Sequence, residues 1–113
     1  MDETRLITLY HNPRCSKSRA ALEIAQQYAA RHQLDLKVVE YLKTPLDSRE
    51  LTELQKQLGE QAAQMVREQD GLDPEQQRNV LLAQPELLQR PIISYNGRAV
   101  IGRPTELIQT LLT

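Results

Sequence analysis

The sequence has no tryptophan and no phenylalanine; its few aromatics are all tyrosine, so any core must be aliphatic. It has one cysteine, which excludes an internal disulfide, and one cysteine with two histidines makes a poor zinc cage, so no metal is expected. An excess of positive charge is missing too. With a net charge of -1 the chain lacks the basic face that nucleic-acid binding normally requires, and no nucleic-acid partner is expected. No apolar run approaches the roughly 20 residues that span a bilayer, which argues against a membrane partner. The opening "MDETRLITLY" is acidic and carries no long apolar segment, unlike a signal peptide. A reducing cytoplasm is therefore the expected location, and there a single cysteine stays a thiol. What remains is an ordinary globular composition, 40% hydrophobic and 26% charged over 113 residues. That length suits a single domain, 1–113, with a core that needs no staple, and a monomer is expected.

Along the chain, the period of the apolar residues changes several times. "RLITLY" (5–10) reads as a strand, broken by Asn12-Pro13. From Ser16 the residues Ala21, Ile24, Ala25, Tyr28 and Ala29 form one helical stripe. "LKVVEYL" (36–42) reads as a second strand. Asp47 and Glu50 have capping-box spacing before a helix that buries Leu51, Leu54 and Leu58 and closes at Gly59. A weaker helix is expected over about 61–69, through Ala62, Met65 and Val66. Asp73-Pro74 starts another helix, leading to Val80 and Leu81, and Gln84-Pro85 ends or kinks it. "RPIISY" and "RAVIG" are strands joined by Asn96-Gly97, a strong hairpin signal. Pro104 opens a closing helix through Leu107, Ile108, Leu111 and Leu112. Strand, helix, strand, helices, hairpin and helix together predict an α/β fold: a thioredoxin-like sandwich. It has a four-stranded mixed sheet, helices on both faces, and a helical insert at about 47–88 between the halves.

In that arrangement Cys15 falls where the first strand ends and the first helix begins, within "YHNPRCSKSR". Unpaired N–H groups and the helix dipole favour an anion there. Such settings bring a thiol pKa from about 8.5 into a range of roughly 3.5 to 7.5, and the thiolate is the nucleophile. A packing cysteine, the bland alternative, would prefer aliphatic neighbours to Arg14, Lys17 and Arg19. Ser18 stands where a C-x-x-C pair would place its second thiol, so any resolving thiol must come from outside. A phosphatase loop is a poor fit as well, because it needs an arginine six positions past the cysteine and Arg19 is only four past it. Arg90, just before Pro91 at the entry to the third strand, is placed near Cys15 by topology; in such sandwiches that X-Pro peptide is normally cis. Arg103 and Arg67 are placed less directly. Several guanidiniums round a thiolate would hold a tetrahedral oxyanion by forked hydrogen bonds.

These stretches, with "EYLKTP" (40–45) and "QRPIISYNGRAVIGRP" (89–104), resemble the glutaredoxin-coupled arsenate reductase family across nearly the whole chain. The resemblance implies the same sandwich with its insert. It implies Cys15 as nucleophile and Arg67, Arg90 and Arg103 as the oxyanion-binding arginines. His11 would help position or ionise the thiol, though a satisfied structural histidine is an equal reading; Asn12 and Ser18 would join the substrate-binding residues. Arsenate is the implied substrate, glutathione the co-substrate with no bound cofactor, and glutaredoxin the partner that resolves the final disulfide. Two rivals stand beside this reading: a polymerase-binding transcriptional regulator of the same superfamily, and a glutathione-dependent thiol reductase acting on a substrate other than arsenate.

Overall fold

A computed structural model describes residues 5–112. The acidic opening at 1–4, on which the expected lack of a signal peptide partly rests, lies outside the described residues, as does 113. The elements run β1 (Leu6–His11), α1 (Ser16–His32), β2 (Asp35–Glu40), α2 (Ser48–Leu58), α3 (Pro74–Ala83), β3 (Ile92–Tyr95), β4 (Arg98–Ile101) and α4 (Leu107–Leu112). The strands form one mixed sheet in the order β2-β1-β3-β4, with β1 and β2 parallel and the other pairs antiparallel. This is a thioredoxin-like sandwich.

Alternation along the strands sorts the core into two layers. Ile7 and Leu9 of β1 and Ile93 of β3 face Ala21, Ala25 and Ala29 of α1 and Ile108, Leu111 and Leu112 of α4. Three alanines on the buried stripe let α1 lie close against the sheet. Ile92, Ala99 and Ile101 face the other way, against Leu51, Leu54 and Leu58 of α2, Leu81 of α3 and Met65. Burying one such aliphatic side chain contributes about 1.5–3 kcal/mol.

Local chemistry fixes the element ends. Asp47 accepts from the Glu50 amide while the Glu50 carboxylate accepts from the Asp47 amide, a complete capping box. Asp73 and Gln76 repeat it, with Pro74 in the first turn. The hairpin turns through Asn96 (φ 54°) and Gly97 (φ 79°), both in the left-handed region that a two-residue turn of this hand demands.

Two expectations need correction. The weak helix over 61–69 is a 3-10 segment at Gly59–Gln64, after which the chain leaves helical geometry. Buried Gln77 explains the early stop: it donates to the carbonyl of Ala62 and accepts from Gln55, tying the segment to α2 and α3. The last helix opens at Leu107, not Pro104. The turns before it close by i to i+3 bonds, such as Leu107 N–H to the Pro104 carbonyl.

Candidate active site

Sheet register assembles the site. The last pair of β1 and β2 is His11 with Glu40, and Tyr10 pairs with Ile92. Just past these ladder ends come Asn12 after His11, Tyr41 after Glu40, and Arg90 two residues before Ile92. Tyr41 and Ile92 are buried in the layer covered by the insert, with Tyr10 packed against it. The Arg90–Pro91 peptide is cis, as is Arg103–Pro104.

Cys15 is the N-cap of α1, held by a turn in which its amide donates to the Asn12 carbonyl at 3.0 Å. Asn12 Oδ1 accepts from the Arg14 amide at 3.0 Å and tightens the same turn. The sulfur is partly exposed. Burial pushes the thiol up, but this is outweighed by the Ser18 amide, the Arg90 guanidinium and the Lys17 amide, and the pKa lies below that of an ordinary thiol. The neutral thiol has no regular cap hydrogen bond; these groups act on the thiolate. The leading cation is Arg90, distant in sequence, and not the neighbouring Arg14, Lys17 or Arg19. Arg19 instead donates to the Pro13 carbonyl at 3.0 Å and braces the loop.

The three sequence-predicted arginines arrive by different routes. Arg67 lies in a turn, not on a helix. Its amide donates to the Leu87 carbonyl at 2.7 Å, and the Gln89 amide donates to the Met65 carbonyl at 2.8 Å, around a bridge between Val66 and Leu88. This short antiparallel pairing brings Arg67 alongside the approach to Arg90. Arg103 Nε donates to the Arg90 carbonyl at 2.6 Å and steadies that residue from behind.

His11 and Ser18 meet each other on the opposite face. His11 shares the parity of Ile7 and Leu9, is buried, and lies 2.7 Å from Ser18 Oγ through Nδ1. Ser18 Oγ also accepts from the Asn12 amide at 3.0 Å. Burial lowers the His11 pKa; Glu40 opposes this and Arg19 reinforces it, and the net direction is down. A neutral ring accepting the Ser18 hydroxyl proton at Nδ1 satisfies both groups. The pair therefore anchors the Asn12–Cys15 turn from beneath, and Ser18 reaches the sulfur through its amide, not its hydroxyl.

Tyr41, expected at the end of the second strand, lies just past it, since β2 ends at Glu40. Its side chain is 1% exposed, with a hydroxyl that has no hydrogen-bond partner among the described residues. Arg90 Nε is buried and unpartnered likewise. Burial pushes the Tyr41 pKa up; Arg90, Asn12 and Arg67 pull against that, the Cys15 thiolate adds to it, and the phenol stays above its ordinary value. Among the described residues no three His, Cys, Asp or Glu side chains are grouped to hold a metal ion, and no helix is long and apolar enough to cross a membrane.

Residues 10–111 match the ArsC family. An arsenate reductase of Neisseria meningitidis serogroup A is 42% identical, the alignment covering 94% of this chain and 97% of that protein. The Escherichia coli K12 protein YfgD, whose name assigns no activity, is 35% identical over 93% of this chain and 95% of its own. Among solved structures, an arsenate reductase from Vibrio cholerae superposes with a TM-score of 0.78 at 29% identity, covering 96% of this chain and 98% of that one. The chain belongs to the ArsC family.

Proposed function

We propose, from family membership and the geometry at Cys15, that this chain is an arsenate reductase that uses glutathione and glutaredoxin. The observation carrying the reading is a thiol held below its ordinary pKa at a helix N-terminus, with the Arg90 guanidinium beside it. Arginines 67, 90 and 103 bind the oxyanion, while Asn12, His11 and Ser18 shape the turn that presents the sulfur. The Cys15 thiolate attacks arsenic, an S–As bond forms, and one oxygen leaves as hydroxide. The guanidiniums offset charge on the remaining oxygens; removing one well-placed donor of this kind typically costs about 3 kcal/mol of barrier. Glutathione thiolate then attacks Cys15 Sγ. An S–S bond forms, the S–As bond breaks, and its electron pair stays on arsenic, which falls from +5 to +3 and leaves as arsenite. Glutaredoxin attacks the resulting mixed disulfide and returns Cys15 to the thiolate. The chain has no second cysteine, so the two electrons must come from outside thiols.

The test is arsenate-dependent NADPH consumption with glutathione, glutathione reductase and glutaredoxin. Wild-type protein should turn over and Cys15→Ser should not; equal rates for the two would end the proposal.

A further inference from the structure

Two polar groups at the site are buried without a partner among the described residues: the Tyr41 hydroxyl and Arg90 Nε–H. Native interiors rarely leave such groups unpaired, and each orphan asks for a ligand or a water. The two converge by register. Tyr41 follows directly on Glu40, the partner of His11, and Arg90 lies two residues before Ile92, the partner of Tyr10, so both stand just past the ladder ends that lead into Asn12, and the phenol feels both Arg90 and Cys15. Cys15 is three residues beyond Asn12, its amide bonded back to the Asn12 carbonyl. The Asn12 side chain lies beside the phenol, but its Oδ1 is engaged by the Arg14 amide and no regular bond to Tyr41 forms.

We infer that Tyr41 is a further binding residue of this site: its hydroxyl donates a hydrogen bond to one oxygen of the oxyanion that Cys15 attacks, paired with Arg90 Nε–H. The inference rests on the oxyanion reading given above and adds to it a neutral donor. A phenol kept protonated can only donate to a fully charged oxygen, and unlike a fourth cation it adds no charge that would hold the product anion. Its burial fixes it before the ligand arrives, so little ordering cost falls on binding. The same hydroxyl explains why a tyrosine, with its desolvation penalty, occupies a site in an aliphatic layer where a leucine would pack.

The experiment compares wild type with Tyr41→Phe, which deletes only the hydroxyl. Cys15 is alkylated with iodoacetamide at increasing arsenate, and in a parallel arm sulfate, and the half-protecting concentration is read. A hydrogen bond to a charged group is worth roughly a ten- to hundredfold change, so half-protection by arsenate should move up by that factor in Tyr41→Phe. Because the hydroxyl has no regular hydrogen bond among the described residues, the melting temperature should stay level or rise. Half-protection unchanged from wild type would overturn the inference, with the oxyanion reading intact. A fall of several degrees in melting temperature accompanying weaker protection would assign the hydroxyl to structure and overturn it as well. Failure of arsenate and sulfate to protect the wild-type thiol would remove the oxyanion reading itself, and this inference with it.

Discussion

Replacing Ser18 by alanine tests how the reactive turn is held. Ser18 is 0% exposed, and its Oγ serves two groups at once: the Asn12 amide at 3.0 Å and His11 Nδ1 at 2.7 Å. Alanine leaves the volume nearly unchanged but strands both partners. An unsatisfied buried polar group costs about 1–3 kcal/mol, and His11 is buried too deeply for water to replace the hydroxyl easily. The Asn12 amide is less deeply buried and should lose about 1 kcal/mol, near the ordinary value of a hydrogen bond. Together the loss is about 2–4 kcal/mol. Unfolding entropy of about 2.1 cal/mol/K per residue gives roughly 0.24 kcal/mol per degree for a chain of this length, hence a fall in melting temperature of about 8–17 °C. Circular dichroism melts would read it, with Ser16→Ala as the control: Ser16 is exposed in the same turn, and its loss should stay within about 0.5 kcal/mol. A Ser18→Ala melt within about 2 °C of wild type would show that the His11–Ser18 pair anchors nothing.

Arg90→Met removes the leading cation at the sulfur, so the pH midpoint of Cys15 alkylation should rise and turnover should fall by about 10²–10³-fold; an unmoved midpoint would deny Arg90 its electrostatic role. Gly102→Ala should cost about 1–3 kcal/mol in urea unfolding, because the new Cβ would sit 3.0 Å from Ile108 Cγ1 and Cδ1 and 3.1 Å from Pro91 Cγ. Displacing Pro91 should also weaken oxyanion protection of Cys15, through Arg90. For His11, the folded pKa lies below the ordinary value. Its contribution to stability is thus whole above about pH 6.5 and is lost as pH falls, since the unfolded chain takes a proton that the folded chain refuses. Urea midpoints taken downward from pH 7 should decline, and less steeply in His11→Gln.

Much of this was legible beforehand because the signals are local. Asp47 with Glu50, Asp73 with Pro74, and Asn96 with Gly97 each fix their own backbone within four residues, and all three occur as read. The succession of strand, helix, strand, helices, hairpin and helix along the chain points to the sandwich, and the start of α1 gives the sulfur its amides. What stayed hidden depends on pairings distant in sequence. Arg67 reaches its place through a bridge between Val66 and Leu88, which no periodicity announces. Tyr41 reads as one more strand residue until the fold sets its buried hydroxyl near Asn12, Arg90 and Cys15. The cations beside Cys15 in sequence drew attention to it, yet Arg90 does that work, while Arg19 turns back to Pro13. The short closing helix was overextended because Pro104 is a good helix opener in isolation, whereas here it stands in a turn closed by 3-10 bonds.

The most direct check on the whole account is the rate of Cys15 alkylation as a function of pH, measured on the intact protein without added anion. If the sulfur is held ionised by the α1 amides and Arg90, the midpoint falls below that of free cysteine under the same conditions. A midpoint equal to or above the free amino acid's would contradict the account at its base.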